Sequence, residues 1–444
     1  MSTKSVQIVK IFKKQELFKN GEPASNIEVV NFKSLDDNEF GFNIVSQKNL
    51  YQFGGEAIYI QPDYCLPNNK LFSSFTMPYG DPKKTMLGKN NRIRAKKFNF
   101  TFKDSIDSIY SVGILLPLKE VEDFLQSDIN IHDIENLSEV LNITKYEEPE
   151  QSNNLGSGLT LGRKPNWLYA TDEENINNII SYIENNIIGN EEVCLTIKRD
   201  GSSHTSYCKK DIDSKYLPQI TYTKGICSRM LEKKLEQKYT KEYVDNSNNI
   251  FTKYYNKETR ESGYFNSNLN LFIKKEDIKN NPEYKANEVE VRDPWVDLAN
   301  KYNLLEKLEG YCKDNDLELA LRGEIIGRGL KGSGTKCNPD INLEPSLVLF
   351  SVDDLSSGVA KMLPYKNEDS RYDLDIIANT LQIPYVNIVD NFIPNSIKEL
   401  FDKAQDIFNI EKEQGRIIEG VVCRTLYNTK VSCKIMNNEY DSKK

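Results

Sequence analysis

A chain of 444 residues has room for two or three domains, and 38% hydrophobic with 28% charged residues excludes wholesale disorder. The net charge of −8 excludes a simple polycationic binder but leaves a nucleic-acid partner open, because such binding depends on local basic patches. Eight scattered cysteines with no Cys-x-x-Cys pair, and only His132 and His204 beside them, argue against a zinc site or a disulfide framework.

The thiols are expected to stay reduced in an intracellular compartment, cytoplasmic or nuclear. The start of the chain shows no signal peptide, and no run of about 18 apolar residues predicts a membrane span. Along the chain, the first part reads as β: Ser5 to Phe12, Glu28 to Phe32, Phe40 to Ser46 and Ala57 to Gln61, with Gly54-Gly55 as a turn. A basic stretch follows, Lys83, Lys84, Lys89, Arg92, Arg94, Lys96 and Lys97, and then an apolar strand from Val112 to Leu116. Short strands with little helix suggest a small barrel or sandwich. Glu120 to Asn130 turns helical, and a polar stretch around residue 150 reads as a linker. Beyond it helices and strands alternate: a helix over Asn175 to Ile188, a strand over Val193 to Ile197, a helix over Trp295 to Asn315 and a strand over Glu318 to Leu321. Leu347 to Val352 and Ile417 to Arg424 read as buried strands, and residues 245–290 as a surface insertion. The expected division is 1–150 and 151–444.

Five short elements carry chemistry-bearing residue types. Lys198-Arg199-Asp200-Gly201 places a lysine directly after a strand, with a glycine that lets backbone approach a ligand closely. A lysine with a pKa near ~10.4 is an inert ammonium at neutral pH, so a nucleophilic Lys198 calls for a lowered pKa. Alone, the pattern is more often a charged turn. Arg322-Gly323-Glu324 offers a carboxylate for a ribose hydroxyl or a hydrated metal. Phe350, in a buried strand, suits purine stacking or simply a core. Glu419, beside Gly420-Val421-Val422, is costly to bury without a cation, and either a metal or a salt bridge answers that cost. Lys434 could neutralise an α-phosphate or lie on the surface. Each element is weak; their order and separation carry the weight.

Taken together they resemble the covalent nucleotidyltransferases, which comprise RNA ligases, DNA ligases and mRNA capping enzymes. Gly225-Ile226-Cys227-Ser228-Arg229 is similar to the family segment that supplies a phosphate-binding arginine, here Arg229. Thr171-Asp172-Glu173-Glu174 is similar to the segment that precedes the nucleophile in RNA ligases. Gly55 to Asp63, Leu66-Pro67, Arg92 to Lys96 and Ser111 to Pro117 resemble the Deinococcus-type RNA ligases, which carry an OB domain ahead of the catalytic domain. Departures are Ala170 and Asn175, where the family has a lysine and an arginine, and a single lysine in Ser432-x-Lys434. The glycine-rich Gly327 to Thr335 lacks the lysine of a P-loop, which excludes a Walker-type ATPase.

The resemblance implies an α+β chain, with a small N-terminal OB-like β-barrel that binds RNA and an adenylyltransferase domain of ATP-grasp-like ligase fold built on antiparallel sheets. It implies that Lys198 attacks ATP to form a lysyl-AMP, that AMP passes to an RNA 5′-phosphate, and that a 3′-hydroxyl then displaces it. Mg²⁺ or Mn²⁺ would sit among Asp200, Glu324 and Glu419, partly through waters. Arg229 and Lys434 would hold phosphate, Phe350 the adenine, and Glu324 alternatively the ribose. Lys89, Arg92, Arg94, Lys96 and Lys97 are the candidate RNA-phosphate surface, or else a solvated loop. The expected partner of this monomer is RNA, as a nicked duplex or as free ends, with nick repair as the purpose and no membrane involved. Ten residues follow Lys434, so the C-terminal OB domain usual in DNA ligases and capping enzymes is not expected. Those two, and a catalytically inactive RNA-binding protein, are the alternatives.

Overall fold

The computed structural model describes residues 5–35, 43–103, 105, 108–125, 130–146, 159–169, 173–210, 221–236, 238–256, 259–291, 293–328 and 337–443. Residues 40–42, most of the linker near 150, Ala170, Thr171 and Asp172 lie outside them, as do residues 329–335 of the glycine-rich stretch.

The N-terminal part is a five-stranded antiparallel sheet of β1 (Val6–Lys19), β2 (Glu22–Ser34), β3 (Ile44–Gln47), β4 (Glu56–Ile60) and β5 (Ile114–Pro117), in the order β3-β2-β1-β4-β5. Two register shifts in the β1–β2 ladder, at Ile11/Lys13 and Glu16/Phe18, bend the strands. The sheet curls until its edges meet. The Val112 N–H donates to the Asn43 carbonyl at 2.9 Å, and the Val45 N–H to Ser111 Oγ at 3.0 Å, which leaves a nearly closed, barrel-like sheet. The first strand runs to Lys19, longer than the apolar run suggests, because its lower half pairs with β2 across a turn at Asn20-Gly21.

The second part is built on two antiparallel sheets that face one another. The first contains β6 (Val193–Lys198), β11 (Gly420–Thr425) and β12 (Ser432–Met436), flanked by Glu174–Asn175, which pairs parallel, and Ile388–Phe392. The second contains β7 (Ser202–Lys210), β8 (Tyr222–Cys227), β9 (Leu319–Ile326) and β10 (Ser346–Asp354), with shorter strands at both edges. Strand alternation decides what each face carries. On β6, Val193 and Leu195 turn outward to a core with Ile180, Ile183, Leu400, Ala404 and Ile407, which come from helices Ile180–Asn186 and Ile397–Glu413. On β9, Leu319, Leu321 and Ile325 turn outward to helices Pro294–Lys301, Leu304–Asn315 and Leu374–Leu381. The opposite faces are left to line a cleft. The chain is thus a mixed α+β protein with mostly antiparallel sheets.

Three helix expectations change. The helix over Asn175 to Ile188 shortens to Ile180–Asn186, because Glu174–Asn175 joins the sheet edge and Ile176–Asn178 forms a tight turn capped by Asn175 Oδ1. The helix over Trp295 to Asn315 is two helices, broken where Asn303 takes a left-handed conformation with φ 51°. The helix over Glu120 to Asn130 begins at Leu118 and is described to Leu125. The 245–290 stretch falls within a five-stranded antiparallel sheet from Lys238 to Val291, whose own core is Tyr243, Phe251, Tyr264 and Ile278.

Behind β7 lies a buried polar cluster. Lys233 Nζ pairs with Asp293 at 2.9 Å and stands 4.1 Å over the Trp295 ring, and His204 Nε2 meets Ser206 Oγ at 2.8 Å. Burial, and the Lys233 charge beside it, push the His204 imidazole down to about 3. Below pH ~6.5 the unfolded chain binds a proton that the folded chain refuses. The stability that His204 confers is therefore complete above that pH and is lost as the pH falls toward about 3. With two histidines in the chain, NMR can follow the ring directly. Its resonances are expected to stay neutral between about pH 7 and about pH 5, and titration in that window would contradict the assignment.

Candidate active site

β6 ends on Lys198, whose register partner is Gly420, and this places Glu419 beside the lysine. Lys198 Nζ donates to Glu419 Oε2 at 2.5 Å. The chain then crosses to the other sheet in the turn Arg199-Asp200-Gly201 and enters β7, which pairs Ser203 with Glu324. Lys198, Asp200, Glu324 and Glu419 therefore converge from two sheets and the turn between them.

The turn is held from several sides. Arg199 Nη1 reaches both oxygens of the buried Asp340, at 2.8 and 3.1 Å, and Asn338 Nδ2 donates to the Asp200 carbonyl at 2.7 Å. The Tyr440 hydroxyl donates to Asp200 Oδ2 at 2.5 Å. Gly201 is required for a reason other than ligand approach. A Cβ there would lie 2.2 Å from the Ile325 carbonyl oxygen, so the contact it permits is between the turn and β9.

The protein groups by themselves keep the lysine charged. Burial alone would lower the Lys198 pKa, but Glu419, and behind it Glu324 and Asp200, hold it well above the usual lysine value. Lys198 in this state is a firmly protonated ammonium. Burial, with Glu419 and Asp200 nearby, pushes Glu324 up to about 8 against the opposing pull of Lys198 and of a hydrogen bond from the Gly201 backbone. Burial first, and the neighbouring carboxylates after it, thus favour the protonated form of Glu324 near neutral pH.

Lys434 and Ser432 lie on the same face of their sheet as Lys198, reached through the register pairs Thr196–Val422 and Val422–Lys434. Lys434 Nζ is 3.9 Å from Asp63 of the N-terminal part. Phe350 is the extra residue of a bulge in the β9–β10 ladder and is half-buried. Its carbonyl accepts from Arg424 Nη1 at 2.6 Å, and the Arg424 guanidinium stands 5.8 Å from its ring. Arg424 also binds Glu173, which Ser432 binds too. Burial raises the Glu173 pKa, but Arg424 first and then Ser432 bring it below the usual carboxylate range.

Two expected residues have settings of their own. Arg229 lies exposed in the turn after β8, near Lys164. Burial, and the nearby charge of Arg322, push Lys164 down to about 8. Arg92 is not free to meet a phosphate. It pairs with Asp63 and stacks 4.5 Å over Tyr146, because Arg92 and Asp63 lie across the bridge that ties Cys65 to Arg92. Lys89, Lys96 and Lys97 are exposed, and Arg94 is half-buried.

Asp340, Asn338, Arg424, Lys164 and Tyr440 are residues that the sequence pattern does not single out. Only their distant partners make them relevant, and the separations of 138 to 251 residues leave no local pattern. Among the described residues no group of three or more His, Cys, Asp or Glu is close enough to ligate an ion directly. The three carboxylates offer oxygen donors only, which suits a hard cation such as Mg²⁺ or Mn²⁺ held through water.

Gly201→Ala should displace the turn from β9. The expected outcome is a loss of about 1–3 kcal/mol in unfolding free energy, the usual cost of overpacking, measured by urea denaturation. An unchanged midpoint would show that the Ile325 contact yields freely.

No family model matches the chain, and no curated protein matches it in sequence. It is similar over its whole length to solved structures of an RNA ligase from Naegleria gruberi. A point mutant of that protein with ATP and Mn matches at a TM-score of 0.59 and 19% identity, covering 99% of both chains. A second mutant with ATP and Mn matches at 0.60 and 19%, again covering 99% of both. The protein with PPi matches at 0.59 and 20%, covering 99% of this chain and 98% of that one. At these identities the likeness establishes a shared fold.

Proposed function

We propose that this chain is an ATP-dependent RNA ligase that works through a lysyl-AMP on Lys198. The observation that carries the reading is Lys198 among Glu419, Glu324 and Asp200, with Lys434, Ser432 and Arg424 on the same sheet face. The shared fold with an RNA ligase whose structures contain ATP, Mn and PPi supports it.

In this reading Lys198 Nζ attacks the α-phosphorus of ATP. A nitrogen–phosphorus bond forms, the bond to the bridging oxygen breaks, and pyrophosphate leaves with the electron pair. Before that the ammonium must lose a proton, and the surrounding carboxylates oppose the loss. A hydrated Mg²⁺ or Mn²⁺ among Asp200, Glu324 and Glu419 would offset their charge, lower the lysine pKa and balance the phosphate oxygens. Lys434 is placed to neutralise an α-phosphate oxygen once it leaves Asp63. Phe350 presents a ring face for adenine. Arg229 and Lys164 form a separate cationic pair suited to the outgoing pyrophosphate or to RNA phosphate. The AMP then passes to an RNA 5′-phosphate, and a 3′-hydroxyl displaces it.

The finer assignment is a Deinococcus-type ligase: residues 1–150 as an OB-like RNA-binding domain, 151–444 as the adenylyltransferase domain, and nicks in duplex RNA as the substrate. The barrel-like sheet supports the first of these. Eight free thiols fit a reducing compartment, cytoplasm or nucleus, and no helix among the described residues is long and apolar enough to cross a membrane. The RNA surface is Lys89, Lys96, Lys97 and the neighbouring loop. There Tyr79 is 95% exposed and Lys84 stands 5.6 Å from its ring, so stacking and phosphate contacts are both on offer.

The direct test incubates the protein with Mg²⁺ and ATP radiolabelled at the α-phosphate, beside Lys198→Ala. A labelled wild-type band and a blank variant are expected. Label on Lys198→Ala would overturn the nucleophile, and no label on folded, AMP-free wild type would favour an inactive RNA-binding protein. For the RNA surface, replacing Lys89, Lys96 and Lys97 by Gln should weaken RNA binding. It should also flatten the plot of log affinity against log salt by about 0.7–0.9 for every phosphate left without its lysine. An unchanged slope would place the RNA elsewhere.

A further inference from the structure

We propose that Tyr440 is a positioning residue for Asp200, and that the short helix Asn438–Lys443 exists in part to hold it there. The proposal rests on the reading of Asp200 as a carboxylate that faces a divalent cation. Tyr440 is fully buried, and its hydroxyl donates to Asp200 Oδ2 at 2.5 Å across 240 residues of sequence. A phenol has one proton to give. Given to Oδ2, it fixes the rotation of the carboxylate. Hydrogen bonds from a neutral donor to an ionised carboxylate are short and strong.

The helix that carries the ring is anchored on both sides. Before it, the Asn437 N–H donates to the Glu419 carbonyl at 2.9 Å, and Asn437 Nδ2 to the Ile418 carbonyl at 3.0 Å. Within it, Asp441 Oδ2 accepts from the Ala95 N–H of the N-terminal part at 2.7 Å. The backbone around Glu419 and the side chain of Asp200 are thus set by one segment, Asn437–Asp441. That segment comes after the last of the five sequence elements and holds two of their carboxylates in register. The same segment touches the N-terminal part through Ala95, which lies between Arg94 and Lys96. Partners of this kind, which orient a carboxylate without touching the ion, commonly change metal affinity by about 10- to 100-fold when removed.

A packing role and a positioning role separate cleanly. Tyr440→Phe keeps the ring and deletes the hydroxyl, while Tyr440→Ala deletes both. Mn²⁺ binding by the full chain, followed by the electron paramagnetic resonance of free Mn²⁺, is the primary measurement. AMP labelling and the urea midpoint accompany it. Tyr440→Phe is expected to keep the wild-type fold while its Mn²⁺ dissociation constant rises by about 10-fold or more. Tyr440→Ala is expected to show the same rise together with lower stability. Wild-type Mn²⁺ affinity in Tyr440→Phe would overturn the proposal and leave the ring a packing role, and so would a wild-type chain that binds no Mn²⁺. Absence of AMP uptake by wild type would overturn the ligase reading. The Mn²⁺ comparison is separate from it and still decides the role of Tyr440.

Discussion

The ion pair between Lys198 and Glu419 is the interaction on which the site turns. A lysine partly shielded from water among three carboxylates has one charge to set against them. The lysine responds by keeping its proton and Glu324 by retaining one of its own. Such an arrangement is stable at rest and unreactive, since an ammonium has no lone pair to donate. Added positive charge changes both terms together: the carboxylates gain a counter-ion and the lysine becomes free to lose its proton. The lowered pKa that attack calls for is therefore not supplied by these protein groups alone. Sequence shows the lysine, but only the fold reveals how many acids surround it.

The scaffold explains how the acids come to surround it. Each sheet turns one face to helices and the other to the cleft, so residues two apart on one strand share a fate. Lys198, Thr196 and Cys194 point one way, and Ile197, Leu195 and Val193 the other. A turn of three residues carries the chain from the first sheet to the second. That turn has no slack, because Gly201 lies against the Ile325 carbonyl. Asp340, Asn338 and Tyr440 fix it from three directions. A carboxylate on a free loop would lose orientational entropy on meeting a cation, whereas one held by several hydrogen bonds has already lost it.

The basic stretch behaves differently. Its residues look equivalent in the sequence, yet Ile93 and Ala95, which stand among the cations, are buried and the cations around them differ in exposure. Arg92 is drawn into a pair with Asp63, the residue that also approaches Lys434. Lys96 and Lys97 remain in solvent. A charge run is thus a candidate surface whose members differ in what they can bind, and the difference lies in their partners.

Residue order along the chain was enough to mark Lys198, Asp200, Glu324, Phe350, Glu419 and Lys434 as candidates, because each lies in or directly beside a strand with a recognisable apolar pattern. The strands themselves were legible for the same reason, since alternation and apolar runs are local properties. The helix Ile397–Glu413 is also legible in the sequence. Ser396 accepts from the Glu399 N–H at 3.1 Å, a cap that Ser-x-x-Glu announces, and Ile397, Leu400, Ala404, Ile407 and Phe408 repeat at helical spacing. The register between β6 and β11, the protonation of Lys198 and Glu324, the capture of Arg92 and the contact from Tyr440 to Asp200 could be decided only by tertiary structure. Each depends on a partner many residues away, and a hydrogen bond or a Coulomb interaction acts on distance in space, about which neighbours in sequence carry no information.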